Sequence, residues 1–231
     1  MTAFGDVHYE DRAVWLPERG TLVLADVHLG RARSSRVDLP IGSHANILER
    51  LDALLDRHDA EQVVIAGDLV HDFDSVSLTV AETVAEIVDL VEDRDADLVV
   101  TAGNHDTGLD RVTSIETVDG YRIDRETVVH HGHEIPETEA SRYIIGHDHP
   151  AITIEGSRRP CYLNCPDQYE GCSVLVLPAF SRVAVGTTVN GRTAADIMTP
   201  LVTDLGSCRP IVRTDEEPLV FPPLGELQSH L

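Results

Sequence analysis

The chain has 231 residues, with 40 acidic residues against 18 basic ones, all of them arginine, and a formal charge of −22. This length supports a full hydrophobic core without disulfide or metal staples, and the charge excludes broad electrostatic capture of nucleic acid, which needs clustered cations. A phosphate-bearing substrate held through metal ions stays open. So acidic a composition without lysine points to a cytoplasm of molar salt, where the Debye length falls to about 3 Å. The N-terminal stretch MTAFGDVHYEDRAVW has no basic n-region and no apolar h-region, and uninterrupted apolar runs are no longer than Val174-Leu175-Val176-Leu177. Neither a signal peptide nor a membrane span is therefore expected, and the expected location is cytoplasmic.

In chain order, residues 21–25, 62–66 and 97–101 are expected strands buried on both faces. Between the first two, Ile47, Leu48, Leu51, Leu54 and Leu55 recur at helical spacing, with Pro40 and Ser43 as start signals. Between the second and third, Val80, Val84, Ile87, Val88 and Val91 form one stripe opposite Glu82, Glu86 and Asp89. After about residue 111 the pattern changes to strands separated by turns, at 122–130, 143–146, 152–154, 159–163 and 173–177. The class is α/β, with two sheets packed face to face and helices outside. One domain is expected over 1–217, with a loose tail over 218–231. Cys161, Cys165, Cys172 and Cys208 match no zinc spacing and are read as buried small residues. A Cys161–Cys172 disulfide would need their flanking strands to pair, and a reducing cytosol argues against it.

Chemistry gathers where the strands end. The first runs into Asp26-Val27-His28, the second into Gly67-Asp68 and the third into Gly103-Asn104-His105-Asp106. Later come His130-His131-Gly132-His133 and Gly146-His147-Asp148-His149. Polar residues at the carboxyl ends of adjacent strands line one crevice, and side chains at i and i+2 of an extended chain share a face. Each block alone is ordinary turn or strand-end chemistry. Drawn from them, two carboxylates, one amide oxygen and four imidazoles make a mixed nitrogen and oxygen set suited to Mn²⁺, Fe or Zn²⁺ and poor for Ca²⁺ or Mg²⁺.

This ordered set resembles the calcineurin-like metallophosphoesterase superfamily. Leu24-Ala25-Asp26-Val27-His28-Leu29-Gly30, Gly67-Asp68-Leu69-Val70-His71-Asp72-Phe73, Gly146-His147-Asp148-His149-Pro150 and Val176-Leu177-Pro178-Ala179-Phe180 look like its small archaeal branch related to the nuclease subunit SbcD. The resemblance implies a four-layer αββα sandwich of two mixed sheets flanked by helices. It also implies two divalent transition-metal ions, Mn²⁺ first, with Fe or Zn²⁺ as alternatives. The first ion would take Asp26, His28, Asp68 and His149, and the second Asp68, Asn104, His131 and His147. Alternation would put His131 and His133 on one face and His130 on the other.

The implied reaction is hydrolysis of a phosphodiester, in DNA or a nucleotide, by hydroxide bridging the two ions. His105 would act as general acid or transition-state stabiliser, with Asp106 as its orienting carboxylate. Arg31 and His71 are candidate substrate contacts. His8, His44, His58 and His230 match no motif and are read as surface residues, and residues 176–180 as sheet packing. A phosphomonoesterase or cyclic-nucleotide phosphodiesterase could use the same centre. A catalytically dead scaffold would be expected to have lost ligands, and none of the seven is missing.

Overall fold

The structure is a computed structural model that describes residues 4–31, 43–71, 77–109 and 113–227. A first sheet runs in sequential order through β1 (His8–Tyr9), β2 (Ala13–Leu16), β3 (Thr21–Leu24), β4 (Gln62–Ile65), β5 (Asp97–Thr101) and β6 (Thr117–Val118). Strands β3 to β6 pair in parallel, which requires long crossovers. Two are helices, α1 (Ser43–Arg57) and α2 (Leu78–Glu92). Pro40, expected near the start of α1, lies outside the described residues, whereas α2 starts at Ser77, whose side chain accepts from the Val80 N–H.

The remaining strands are β7 (Gly120–Arg122), β8 (Thr127–His130), β9 (Arg142–Ile145), β10 (Pro150–Ile154) and β11 (Ser157–Pro160). They continue with β12 (Tyr162–Cys165), β13 (Ser173–Val176), β14 (Thr187–Thr188), β15 (Arg209–Arg213) and β16 (Pro218–Val220). Seven of them form a mixed sheet in the order β16-β15-β12-β13-β9-β8-β7, and β11-β10-β14 form a small third sheet. The single strand expected over 122–130 is instead the hairpin β7–β8. Its turn is closed by Asp124, whose carboxylate accepts from the Glu126 and Thr127 N–H groups at 2.8 Å.

Burial resolves into layers. Val14, Val23 and Val64 of the first sheet meet Val129, Ile144 and Leu175 of the second in a central cluster. The other face of the first sheet packs Leu22, Leu24, Val63 and Ile65 on Ile47, Leu51, Val84 and Ile87 of the two helices. On the outer face of the second sheet, Val128, Leu163 and Val174 are covered by Leu201, Leu205, Leu224 and Leu227. This αββα sandwich therefore has one outer layer of two fifteen-residue helices and one of irregular chain. The latter includes short 3₁₀ turns and a four-residue helix, α3 (Leu224–Leu227).

Expectations about the tail, the cysteines and His58 change here. Within the tail expected over 218–231, residues 218–227 are packed on the domain: β16 pairs with β15, and Leu224 and Leu227 are buried. The apolar side chains of this segment close a face that the second sheet would otherwise expose. The disulfide joins Cys165 to Cys208, while Cys161 and Cys172 are free. Antiparallel pairing of Asn164 with Arg209 makes Cys165 and Cys208 cross-strand neighbours, with Cα atoms 4.1 Å apart. In the β12–β13 register Cys165 faces Val174, so Cys161 and Cys172 belong to opposite ends of that pair. His58 is not a surface residue: its ring stacks on Trp15 at 4.8 Å and its Nε2 lies 3.1 Å from Glu10. His44 meets Thr83 Oγ1 at 2.9 Å between α1 and α2. His8 is exposed, and His230 lies outside the described residues.

Candidate metal centre

The loops after β3, β4, β5, β8 and β9 converge. Backbone bonds lace the first two together, from Asp26 N to Gly67 O at 3.1 Å and from His28 N to Asp68 O at 2.9 Å. Gly146 N donates to His131 O at 3.0 Å and aligns the two loops of the second sheet. The expected i and i+2 alternation of an extended chain is not how these side chains come together. Asp26, His28, Asp68, His147 and His149 all have φ between 46° and 70°, a left-handed conformation that costs non-glycine residues on the order of 1–3 kcal/mol each. They are five of the ten such residues described, so half of this strain is spent on one site.

The side chains form two groups around Asp68. In the first, His28 Nε2 lies 3.2 Å from His149 Nε2 and 3.8 Å from Asp68 Oδ2, and His149 Nε2 lies 3.1 Å from Asp26 Oδ1. In the second, His131 Nε2 lies 3.1 Å from Asn104 Oδ1, 3.2 Å from His147 Nδ1 and 3.5 Å from Asp68 Oδ1. Asp68 thus turns one oxygen to each group. His131 Nδ1 donates to Ala66 O at 2.9 Å, which leaves its Nε2 lone pair pointing at a carboxylate and an amide oxygen. Such converging acceptors repel one another without a cation. Asp26, His28, Asp68 and His131 are buried, and His28 Nδ1 has no hydrogen-bond partner among the described residues. The residues present therefore fit transition-metal ions.

Electrostatics agree with this picture at His28 and His147; at His149 burial works downward, but Asp26, 3.1 Å away, raises the ring instead. Burial and the neighbouring Asp26 charge push Asp68 up to about 6. Burial also works upward on Asp26, but His149, His131 and His28 hold it down at about 2. Burial keeps His28 neutral, at about 2, and lowers His147 to about 4. Neutral imidazole is the form that binds a metal.

The chain leaves the β8 direction at Gly132, φ 100°. His133 therefore stacks on His130 at 6.1 Å rather than simply sharing the His131 face, while still lying 5.3 Å from the His131 ring. His105 stands beside the groups: its Nδ1 bonds His71 O at 3.0 Å, and its Nε2 is 3.9 Å from Asp68 Oδ2. His71 stacks on His105 at 5.0 Å and meets His28 edge-on at 5.2 Å. Arg31 N bonds His28 O at 3.2 Å.

Asp106 departs from its expected role of orienting His105, which the His71 carbonyl fills. Its carboxylate instead accepts from the N–H groups of Asp68 at 2.8 Å, Gly103 at 3.0 Å and Val70 at 3.1 Å. It clamps the loop that presents Asp68. Gly103 is required at this crossing, because a Cβ there would strike the Asp68 backbone nitrogen and Oδ1. Asp106→Ala should lower unfolding free energy by about 3 kcal/mol, since each buried donor left unpaired costs roughly 1–3 kcal/mol. Denaturant titration measures this, and an unchanged midpoint would remove the clamp.

Two further segments support the site. Asp148 accepts from Met198 N at 2.7 Å and Thr199 N at 3.0 Å, anchoring the loop between His147 and His149. Residues 176–180 do more than pack: Phe180 N and the following Ser181 N bond Ala25 O at 2.8 Å and Asp26 O at 3.2 Å.

With buried carboxylates and imidazoles gathered at the strand ends of a two-sheet sandwich, and a match to a phosphoesterase family, the chain is a metal-dependent phosphoric ester hydrolase. The chain matches the calcineurin-like phosphoesterase family over residues 3–153 and belongs to it. Among solved structures it is similar to the Pseudomonas putida nuclease MPE, with 26% identity over 90% of this chain and 92% of that one and a TM-score of 0.66. Yfce, a phosphoesterase from E. coli, matches at 15% identity over 75% of this chain and 84% of that one, with a TM-score of 0.46. No curated protein matches the chain. Among the described residues no helix is long and apolar enough to cross a membrane.

Proposed function

We propose that the chain is a dinuclear phosphodiesterase acting on nucleic acid. The observation that carries the dinuclear reading is Asp68, whose Oδ2 faces His28 and whose Oδ1 faces His131. Asp26, His28, Asp68 and His149 would hold one ion, and Asp68, Asn104, His131 and His147 the other, with Mn²⁺ the first candidate. When bound, the ions supply Lewis-acid stabilisation of the charge that develops on the phosphoryl oxygens. His105 holds a proton on Nδ1 against the His71 carbonyl and, as imidazolium, gives its Nε2 proton to the leaving oxygen. Asp68 Oδ2 lies 3.9 Å from that Nε2. Asp106 positions Asp68, and Arg31 and His71, next to His28 and His105, are the candidate substrate contacts.

The nuclease MPE, similar over most of both chains, supports a nucleic-acid substrate, as does the resemblance of residues 176–180 to the SbcD-related branch. The lysine-free charge of −22 supports an enzyme that works in concentrated salt. Hydrolysis of bis-p-nitrophenyl phosphate in molar KCl is expected to require Mn²⁺ or a similar ion and to stop in chelator. Turnover without metal would sink this reading. Monoester and cyclic-nucleotide substrates in the same assay test the alternatives.

A further inference from the structure

Arginines concentrate beside the metal centre in a way the overall charge does not suggest. Two clefts, of about 470 and 210 Å³, share Arg12, Arg182 and Pro160 in their walls. The smaller includes His149 of the first ligand group and Arg158, and the larger includes Arg57 and Arg213. Among the described residues two aspartates, Asp11 and Asp215, stand in the same walls against the five arginines. A chain of charge −22 thus has a cationic path that begins at the candidate catalytic site.

The path is fixed to that site. Arg12 Nη1 donates to Ala179 O at 3.1 Å and Ser181 O at 2.8 Å, and the same segment is bonded to the backbone of Ala25 and Asp26. Burial and the charges of Arg50 and Arg182 pull Arg12 down to about 10, with Asp11 opposing, so guanidinium groups are crowded here and still charged. Their counter-ions are few. Asp11 serves both Arg50, at 2.6 Å, and Arg182, at 3.2 Å, while Arg57 pairs with Glu10 at 2.7 Å. Arg158 Nε donates to a hydroxyl, Thr188 Oγ1, at 3.0 Å. Arg213 keeps a buried Nη1 without a hydrogen-bond partner among the described residues. Guanidinium forks with donors to spare, spaced along a groove, match a succession of phosphates.

We propose that this groove holds the sugar-phosphate backbone of a single polynucleotide strand leading away from the scissile phosphate, and so makes the enzyme prefer a strand to a small diester. The proposal rests on the phosphodiesterase reading above. With aromatic residues at only 4% of the chain, binding would read the backbone rather than stacked bases.

The test compares the Mn²⁺-loaded protein with its Arg182→Ala and Arg213→Ala variants on bis-p-nitrophenyl phosphate and on single-stranded oligothymidylate. Each variant should lose about tenfold in kcat/KM on the strand, the size of one charge-assisted phosphate contact, while the small diester is hydrolysed as before. Arg182→Lys should recover part of the loss, and matched DNA and RNA strands identify which polynucleotide responds. Strand cleavage indifferent to both variants, or a parallel fall on both substrates, overturns the groove. Absence of all diester turnover in the unmodified protein would instead sink the hydrolytic reading. In that case fluorescence anisotropy of the labelled strand still decides: weaker binding by the two variants supports the groove, and unchanged binding overturns it.

Discussion

Asp68→Asn is expected to empty both metal positions together and to lower turnover on bis-p-nitrophenyl phosphate by on the order of 10³-fold or more. Asp68 divides its two oxygens between His28, at 3.8 Å, and His131, at 3.5 Å, and also receives the His105 backbone N–H on Oδ1 at 2.9 Å. Asparagine keeps the shape and one acceptor but loses the charge, and it turns an N–H₂ group toward one of the two imidazole sets. Neither group then keeps a shared anion. The fold should survive, because burial and the Asp26 charge both disfavour the ionised form that asparagine removes. Metal content after dialysis, read beside the thermal midpoint, separates these effects. A variant that retains one full equivalent at the second position would rule out the bridge.

Much of this site is legible in the sequence because position and chemistry are encoded together. A buried parallel strand must end at the crevice, and a carboxylate or imidazole just past that end has few other places to go. Asp26, Asp68 and Asn104 follow β3, β4 and β5 in this way, and the register that aligns those strands aligns their ends. The conformation that delivers the side chains is less visible. Asp26 and His28 have φ of 56° and 49°, which no local preference of these residues demands. Backbone bonds to the neighbouring Gly67 and Asp68 impose it.

What the sequence hid depends on distant pairing. Cys165 finds Cys208 only because β12 and β15, 43 residues apart at the cysteines, lie side by side. Asp106 looked like a partner for the adjacent His105, yet its carboxylate reaches back to the N–H groups of Asp68 and Val70. The arginines of the proposed groove come from positions as far apart as Arg12 and Arg213. In the sequence they are isolated cations in an acidic chain, and their common wall exists only after the second sheet packs on the first.

His105→Ala is expected to lower turnover by roughly 10²–10⁴-fold, the range for loss of a positioned general acid, while both metal ions stay bound. The argument is one of placement. The His105 ring is half-buried, with its Nδ1 spent on the His71 carbonyl at 3.0 Å, which fixes the ring and leaves Nε2 on the side of Asp68 Oδ2. The His105 backbone, not its ring, makes the 2.9 Å bond to Asp68 Oδ1, and alanine preserves that bond. Truncation should therefore spare the ligand geometry and remove only the proton donor. A substrate with a good leaving group needs that proton less, so the loss should be smaller on bis-p-nitrophenyl phosphate than on a strand that expels a sugar alkoxide. Equal losses on the two substrates would count against proton donation, and loss of metal from the variant would make His105 a structural residue.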